Sequence, residues 1–94
     1  MNSTLRIDVS IDGDIATLAM SGELDEASCP TLGDCLVRHR RPGARVLLDM
    51  RGLNFIDTAG LDLLTRLYVE SSLEGWTFAV MTTGERYIAR AVAA

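Results

Sequence analysis

The chain has 94 residues, of which 48% are hydrophobic and 23% charged, with a net charge of −4. This length favours one domain with a small core, and the negative charge argues against a general nucleic-acid binder, which needs a basic face. All nine basic residues are arginines, and the absence of lysine excludes a P-loop and Schiff-base catalysis. No segment is apolar over the ~18 residues of a membrane span, and the N-terminus lacks a signal peptide's apolar core. We therefore expect a cytoplasmic protein without membrane insertion.

The first two elements are predicted to form an antiparallel hairpin. Apolar and polar residues alternate over positions 5–11, which predicts a strand with one buried face and one solvent face. Asp12-Gly13 is a strong hairpin signal. Residues 15–20 then return as the second strand, which we expect to end at Gly22.

An acidic loop, residues 23–26, leads into the first predicted helix. Asp25 or Ser28 can cap this helix, and Pro42-Gly43 closes it. The basic run at residues 38–41 falls at the end of the helix, where cations favour the helix dipole. Two cysteines and one histidine show no metal-ligand spacing, so we expect neither a metal site nor a cofactor.

The second half of the chain alternates strands with helices. Residues 46–49 are apolar on both faces, as expected for a central parallel strand. Residues 58–73 carry a broad apolar stripe that suits a helix lying on a sheet. Residues 76–81 are predicted as a strand and residues 84–94 as a helix. The order β-β-α-β-α-β-α predicts an α/β fold, a mixed β-sheet with helices packed on it.

The loop after the third strand, residues 49–60, is the candidate functional site. It lies at the carboxyl edge of the parallel strands, where ligands and partners gather. Asp57 suits an N-cap worth about 1 kcal/mol, which leaves Thr58 as the first helical residue with an outward hydroxyl. The residues alone favour a second interpretation, in which Thr58 is the N-cap and Gly60 is only a packing residue.

A phosphate on Thr58 would be a strong electrostatic change at this site. It adds about −1.5 to −2 charges, next to the acidic residues Glu23, Asp25, Glu26 and Asp57. The small pair Ala59-Gly60 keeps the helix start flat, so another protein can approach. A catalytic Thr58 would need a nearby base, and the single histidine, His39, falls at the far end of the first helix. We therefore expect a binding module and not an enzyme.

Three sequence blocks together resemble the STAS domain of bacterial anti-sigma factor antagonists. They are Gly22-Glu23-Leu24-Asp25, Leu47-Leu48-Asp49 and Phe55-Ile56-Asp57-Thr58-Ala59-Gly60-Leu61. The resemblance covers about residues 5–90 and is specific only for the blocks in combination. It implies a single STAS domain over residues 1–94, with the motif region at 45–73. The family's last strand and helix have no counterpart, so the domain is expected to be short at its C-terminus.

The resemblance implies a switch between protein partners. In this family the unphosphorylated antagonist binds an anti-sigma factor, often a serine kinase, and a sigma factor is released. The kinase phosphorylates the position that Thr58 occupies, binding is lost, and a phosphatase restores it. A homodimer stays open as a further assembly. We expect the partner-binding residues to be Asp25, Glu26, Asn54, Asp57, Thr58, Ala59, Gly60 and Leu61.

Two alternatives remain. Threonine in place of the more usual serine also occurs in the short STAS subunit of phospholipid-transport ABC complexes, which docks on an ATPase subunit. There the same surface is a constitutive structural contact. The other alternative is a receiver domain that carries a phosphoryl group on Asp49, which the missing lysine opposes.

Overall fold

The computed structural model describes residues 4–82, which form six elements. One sheet has the strand order β1-β2-β3-β4, with β1 antiparallel to β2 and the other neighbours parallel. The strands are β1 (Arg6–Asp12), β2 (Ile15–Leu24), β3 (Arg45–Ile56) and β4 (Thr77–Met81), and the helices are α1 (Cys29–Val37) and α2 (Thr58–Glu74). This confirms the α/β class and the order β-β-α-β-α-β. The predicted helix at residues 84–94 lies outside the described residues.

The core lies between the sheet and the two helices. Alternate residues of β2 and β3 are buried, as the sequence predicted for β2, and they meet leucines from both helices. The buried set includes Ala16, Leu18, Met20, Val46, Leu48, Met50, Leu32, Leu36, Leu63, Leu64 and Leu67. Neither helix among residues 4–82 is long and apolar enough to cross a membrane.

The hairpin is present, but two details of its prediction are wrong. β2 continues through Gly22 to Leu24. Gly22 stays in the strand at φ +94°, where a Cβ would collide with the carbonyl oxygen of Thr4, so the glycine serves close packing and does not end the strand. The apolar face of β1 is also less covered than expected. Val9 is 43% exposed and Ile11 61% exposed, because the helices of the described residues do not reach this edge of the sheet.

β3 is much longer than predicted, and this changes the candidate site. The strand was expected to end at Asp49 but continues to Ile56. Two register shifts against β2 place extra residues in β3, one before Gly52 and one before Phe55. At Gly52 a Cβ would lie 2.7 Å from the carbonyl oxygen of Met20. The connection between β3 and α2 is therefore Asp57 alone, and the loop predicted at residues 49–60 is wrong. Polar residues at the bulges interrupt the apolar pattern, so the sequence does not indicate that the strand continues.

The first helix ends earlier than predicted, and the basic run follows it. α1 stops at Val37, so Arg40 lies in the connection to β3. Its guanidinium contacts Glu70 at 2.8 Å and Glu74 at 2.9 Å, and stacks 5.3 Å from the centre of the Trp76 ring. Arg40 thus joins this connection to the end of α2, a larger role than the favourable dipole contact that the sequence predicted.

Candidate functional site

Asp57 is the single residue between β3 and α2, and it caps the helix. Its Oδ1 accepts a hydrogen bond from the Gly60 backbone N–H at 2.9 Å. Its own N–H donates to the carbonyl oxygen of Leu24, the last residue of β2, at 3.2 Å. The N-cap is therefore Asp57 and not Thr58, so the second interpretation of the sequence is wrong about the cap.

The other carboxylate oxygen of Asp57 reaches a different loop. Oδ2 accepts the backbone N–H of Glu26 at 3.2 Å, so Asp57 connects the start of α2 to the β2–α1 loop. One carboxylate that accepts two backbone N–H groups orients both segments. The β2–α1 loop and the start of α2 are therefore adjacent.

The β2–α1 loop is held from inside by a buried serine. The Ser28 hydroxyl donates to the Glu23 carbonyl oxygen at 2.9 Å and accepts from the Asp25 backbone N–H at 2.9 Å. The Asp25 carboxylate accepts the Ser28 N–H at 3.0 Å. Ser28 occupies the N-cap position of α1 but makes no side-chain cap to the helix. Both proposed caps therefore stabilise the loop, which presents Glu26 and Ala27 to solvent.

Thr58 is the first residue of α2 and is exposed. Among residues 4–82 no hydrogen bond uses its hydroxyl. Ala59 and Leu61 are half-buried beside it. The hydroxyl is thus accessible at a helix N-terminus, where backbone N–H groups favour an anion.

Gly60 packs against the sheet, as the second interpretation of the sequence expected. It is buried, and a Cβ there would lie 2.7 Å from the Leu24 carbonyl oxygen and 2.8 Å from Ile56 Cγ1. Gly60 therefore lets α2 approach the ends of β2 and β3. It positions the start of α2, and thus Thr58, against the sheet. Because it is buried, it does not itself form part of a surface that a partner could contact.

Phe55 is exposed at this site, and it is not among the site residues predicted from the sequence. Its side chain is 50% exposed, and the neighbouring Asn54 is also exposed. The second bulge of β3 causes this, because it breaks the alternation that would send every second side chain to the core. Gly52, a glycine inside a strand, was the available signal of such a bulge.

The site is electrostatically negative. A shallow cleft of about 360 Å3 is lined by Asp25, Glu26, Ala27 and Asp57. At the start of α1, burial raises the pKa of the Cys29 thiol, and the negative charges of Asp57 and Asp25 raise it further. Glu23 points elsewhere, since its Oε1 accepts the Thr4 hydroxyl at 3.2 Å. The expected acidic surface is therefore built from Asp25, Glu26 and Asp57.

The remaining titratable candidates lie away from Thr58. Asp49 is in the middle of β3, not at its end, and Arg51 binds both of its carboxylate oxygens at 2.9 Å. This hydrogen-bonded ion pair holds the pKa of Asp49 below its usual value. The position of Asp49 inside β3 also differs from the strand end at which the receiver-domain alternative expects it. His39 lines a separate cleft of about 290 Å3 with Arg45, the first residue of β3. No group of three metal-ligating side chains within residues 4–82 could hold a metal ion.

Comparison with known families agrees with this geometry. The model of the STAS domain family matches residues 6–94. The chain belongs to the STAS domain family. Among proteins of curated function, no relative matches this STAS domain significantly.

Solved structures share the fold at low sequence identity. An anti-sigma factor antagonist from Mycobacterium paratuberculosis superposes with a TM-score of 0.69 at 23% identity, over 85% of this STAS domain and 68% of that chain. Mglu superposes with a TM-score of 0.71 at 21% identity over 83% of this domain, which spans only 20% of the Mglu chain. A Shewanella loihica protein described as having a SpoIIAA-like fold gives a TM-score of 0.54 at 19% identity, over 93% of this domain and 76% of that chain. At these identities the likeness establishes the fold.

Proposed function

We propose that this STAS domain is a cytoplasmic anti-sigma factor antagonist, and that phosphorylation of Thr58 switches off its binding to an anti-sigma factor that is also a serine kinase. The observation that carries the proposal is the exposed Thr58 hydroxyl, at the N-terminus of α2 and beside the Asp57 carboxylate. A fold shared with an anti-sigma factor antagonist supports the same role.

The surface around Thr58 suits protein binding. Exposed Asn54 and Phe55 lie on one side, in β3, and exposed Glu26 lies on the other, in the β2–α1 loop. Asp57 fixes both segments through its two carboxylate oxygens. A surface that is already ordered loses little entropy on binding. A half-exposed aromatic ring is the kind of side chain that anchors protein interfaces.

The proposed switch acts through charge and not through the fold. The start of α2 tolerates a phosphate because its free N–H groups favour anions. An acidic site of Asp25, Glu26 and Asp57 fits a partner surface of positive or neutral character close to Thr58. A phosphate adds about −1.5 to −2 charges and a bulky group where the two surfaces meet. An unfavourable contact of a few kcal/mol lowers affinity by about a hundredfold. A phosphatase would restore the binding surface.

A pull-down from the native cytosol tests the proposal. Thr58→Glu mimics the added charge, Thr58→Ala removes the hydroxyl, and Ser72→Glu is a charge-matched control. Ser72 is exposed on the same helix, 14 residues away, or about 21 Å along the axis. Wild type, Thr58→Ala and Ser72→Glu are expected to capture an ATPase-fold anti-sigma kinase, and Thr58→Glu is expected to lose it. Circular dichroism should be unchanged in all four proteins.

Other outcomes would contradict the proposal. Equal capture of the kinase by wild type and Thr58→Glu would remove the switch. Capture of ABC-transporter subunits, insensitive to Thr58→Glu, would favour the transporter-associated STAS subunit. Unfolding of Thr58→Glu would mean that Thr58 is structural. Purified kinase and ATP provide a second test, because mass spectrometry should then locate a phosphate on Thr58 in wild type.

A further inference from the structure

β1 is an edge strand with apolar side chains that the described residues leave uncovered. Among residues 4–82 it pairs with β2 on one side and with no strand on the other. Val9 and Ile11 are 43% and 61% exposed on the face that carries the helices. A strand of seven residues whose second edge is unpaired within the described part of the chain is a template for pairing with another strand. The sequence of β1 itself indicates which strand can pair with its outer edge.

The hairpin geometry determines which backbone groups of β1 point away from β2. The Asp12↔Ile15 pair closes a two-residue loop, with Gly13 at φ +64°. The closing pair of such a loop is hydrogen-bonded, and hydrogen-bonded pairs alternate along an antiparallel ladder. Even-numbered residues of β1 therefore bond to β2. The N–H and C=O groups of Ile7, Val9 and Ile11 point outward.

We propose that β1 pairs antiparallel with β1 of a second copy of the chain, around a two-fold axis at Val9. In this register Val9 faces Val9 of the partner subunit, and Ile7 faces the partner's Ile11. All three outward-pointing residues then exchange backbone hydrogen bonds. On the opposite face Arg6 lies across from the partner's Asp12, and Asp8 lies across from the partner's Ser10. The strand is thus self-complementary in both hydrophobicity and charge.

Charge also selects this register over its neighbours. A shift that moves the axis from Val9 to Asp8 places two Asp8 carboxylates opposite each other. A shift to Ser10 places Asp8 opposite Asp12 twice. Like charges directly across a sheet are destabilising, whereas each Arg6–Asp12 pair is attractive. The register centred on Val9 avoids both carboxylate clashes.

The dimer would be a continuous eight-stranded sheet. The two-fold axis makes the parallel strands of the two subunits run in opposite directions, so the Thr58 sites lie at opposite edges of the sheet and stay accessible. The dimer therefore does not depend on the proposed function. One strand pair is a small interface, so we expect weak, concentration-dependent association.

A charge-swap series tests this register by sedimentation velocity on the full chain. Arg6→Asp and Asp12→Arg each create two like-charge pairs and should raise the dimer dissociation constant by about tenfold or more. The double variant, Arg6→Asp with Asp12→Arg, exchanges the partners and should restore the wild-type constant. A wild-type chain that stays monomeric into the millimolar range would overturn the proposal. Dimerisation of the single variants at wild-type strength would overturn it as well.

Val9→Pro supplies a second test that leaves the ladder to β2 intact. The Val9 N–H points outward, so proline removes an intersubunit hydrogen bond and no bond within the monomer. We expect loss of the dimer with wild-type stability of the monomer. Amide hydrogen exchange separates the dimer from coverage by another segment of the same chain. In the dimer, protection of Ile7, Val9 and Ile11 rises with protein concentration, and protection independent of concentration would overturn the proposal.

Discussion

Glu26 and Asp57 are 31 residues apart in the chain, yet the Glu26 backbone N–H donates to Asp57 Oδ2 at 3.2 Å. The other oxygen of the same carboxylate caps α2 at Gly60. Asp57 is therefore the residue that couples the helix start beneath Thr58 to the β2–α1 loop.

Asp57→Ala should lower the free energy of unfolding by about 1–2 kcal/mol, because an N-cap is lost together with the bond to Glu26. Urea denaturation followed by circular dichroism measures this. Asp62→Ala is the matched control, since Asp62 is exposed on the same helix one turn further along, and it should change stability by less than about 0.5 kcal/mol. Equal effects of the two variants would contradict the proposed role of Asp57 in holding the start of α2 and the β2–α1 loop together.

Gly60→Ala and Gly33→Ala should have opposite effects on stability. At Gly60 a Cβ would lie 2.7 Å from the backbone oxygen of Leu24, whereas at Gly33 nothing lies within 4 Å. We expect Gly60→Ala to cost about 1–3 kcal/mol through overpacking. Gly33→Ala should gain up to about 1 kcal/mol from helix propensity. Thermal unfolding of the two variants checks the sign, and a neutral Gly60→Ala would mean that the helix start moves freely.

The sequence predicted the elements well where a single periodicity held. The alternation of Ala16, Leu18 and Met20 gave the buried face of β2, and α2 begins at Thr58 as predicted. It predicted poorly where tertiary contacts override local pattern. A glycine such as Gly22 normally indicates a strand end, but its φ of +94° allows close packing against Thr4 inside the strand.

The candidate site was predicted in its chemistry and not in its shape. Of the two interpretations, the one with Asp57 as the cap and an accessible Thr58 hydroxyl is confirmed, although the residues alone favoured the other. The bulges of β3 could not be inferred from periodicity, because each extra residue moves every side chain that follows it in the strand to the opposite face of the sheet. For this reason the exposure of Phe55 was not predicted. The burial of Gly60 agrees with the second interpretation of the sequence and not with the flat helix start of the first.

Arg40→Ala should destabilise the fold by about 1–2 kcal/mol, since it removes bonds to two glutamates and the stacking on Trp76. Arg40→Lys should recover only part of this loss, because an ammonium cannot reproduce the planar contact. Arg38 is exposed at the end of α1, so Arg38→Ala is the control and should stay within about 0.5 kcal/mol of wild type. Complete rescue by lysine, read from urea midpoints, would contradict the stacking role.

Acid should weaken the same cluster. The Trp76 indole N–H and the Arg40 guanidinium hold the pKa of Glu74 below its ordinary value of 4.5. A carboxylate with a lowered folded-state pKa contributes stability above the unfolded-state value, and this is lost as the pH falls through the folded-state value. Wild type should therefore be more stable than Glu74→Gln at neutral pH, and the two melting temperatures should converge as the pH falls below about 4. A difference that stays constant down to pH about 3 would mean that the Glu74 charge contributes nothing.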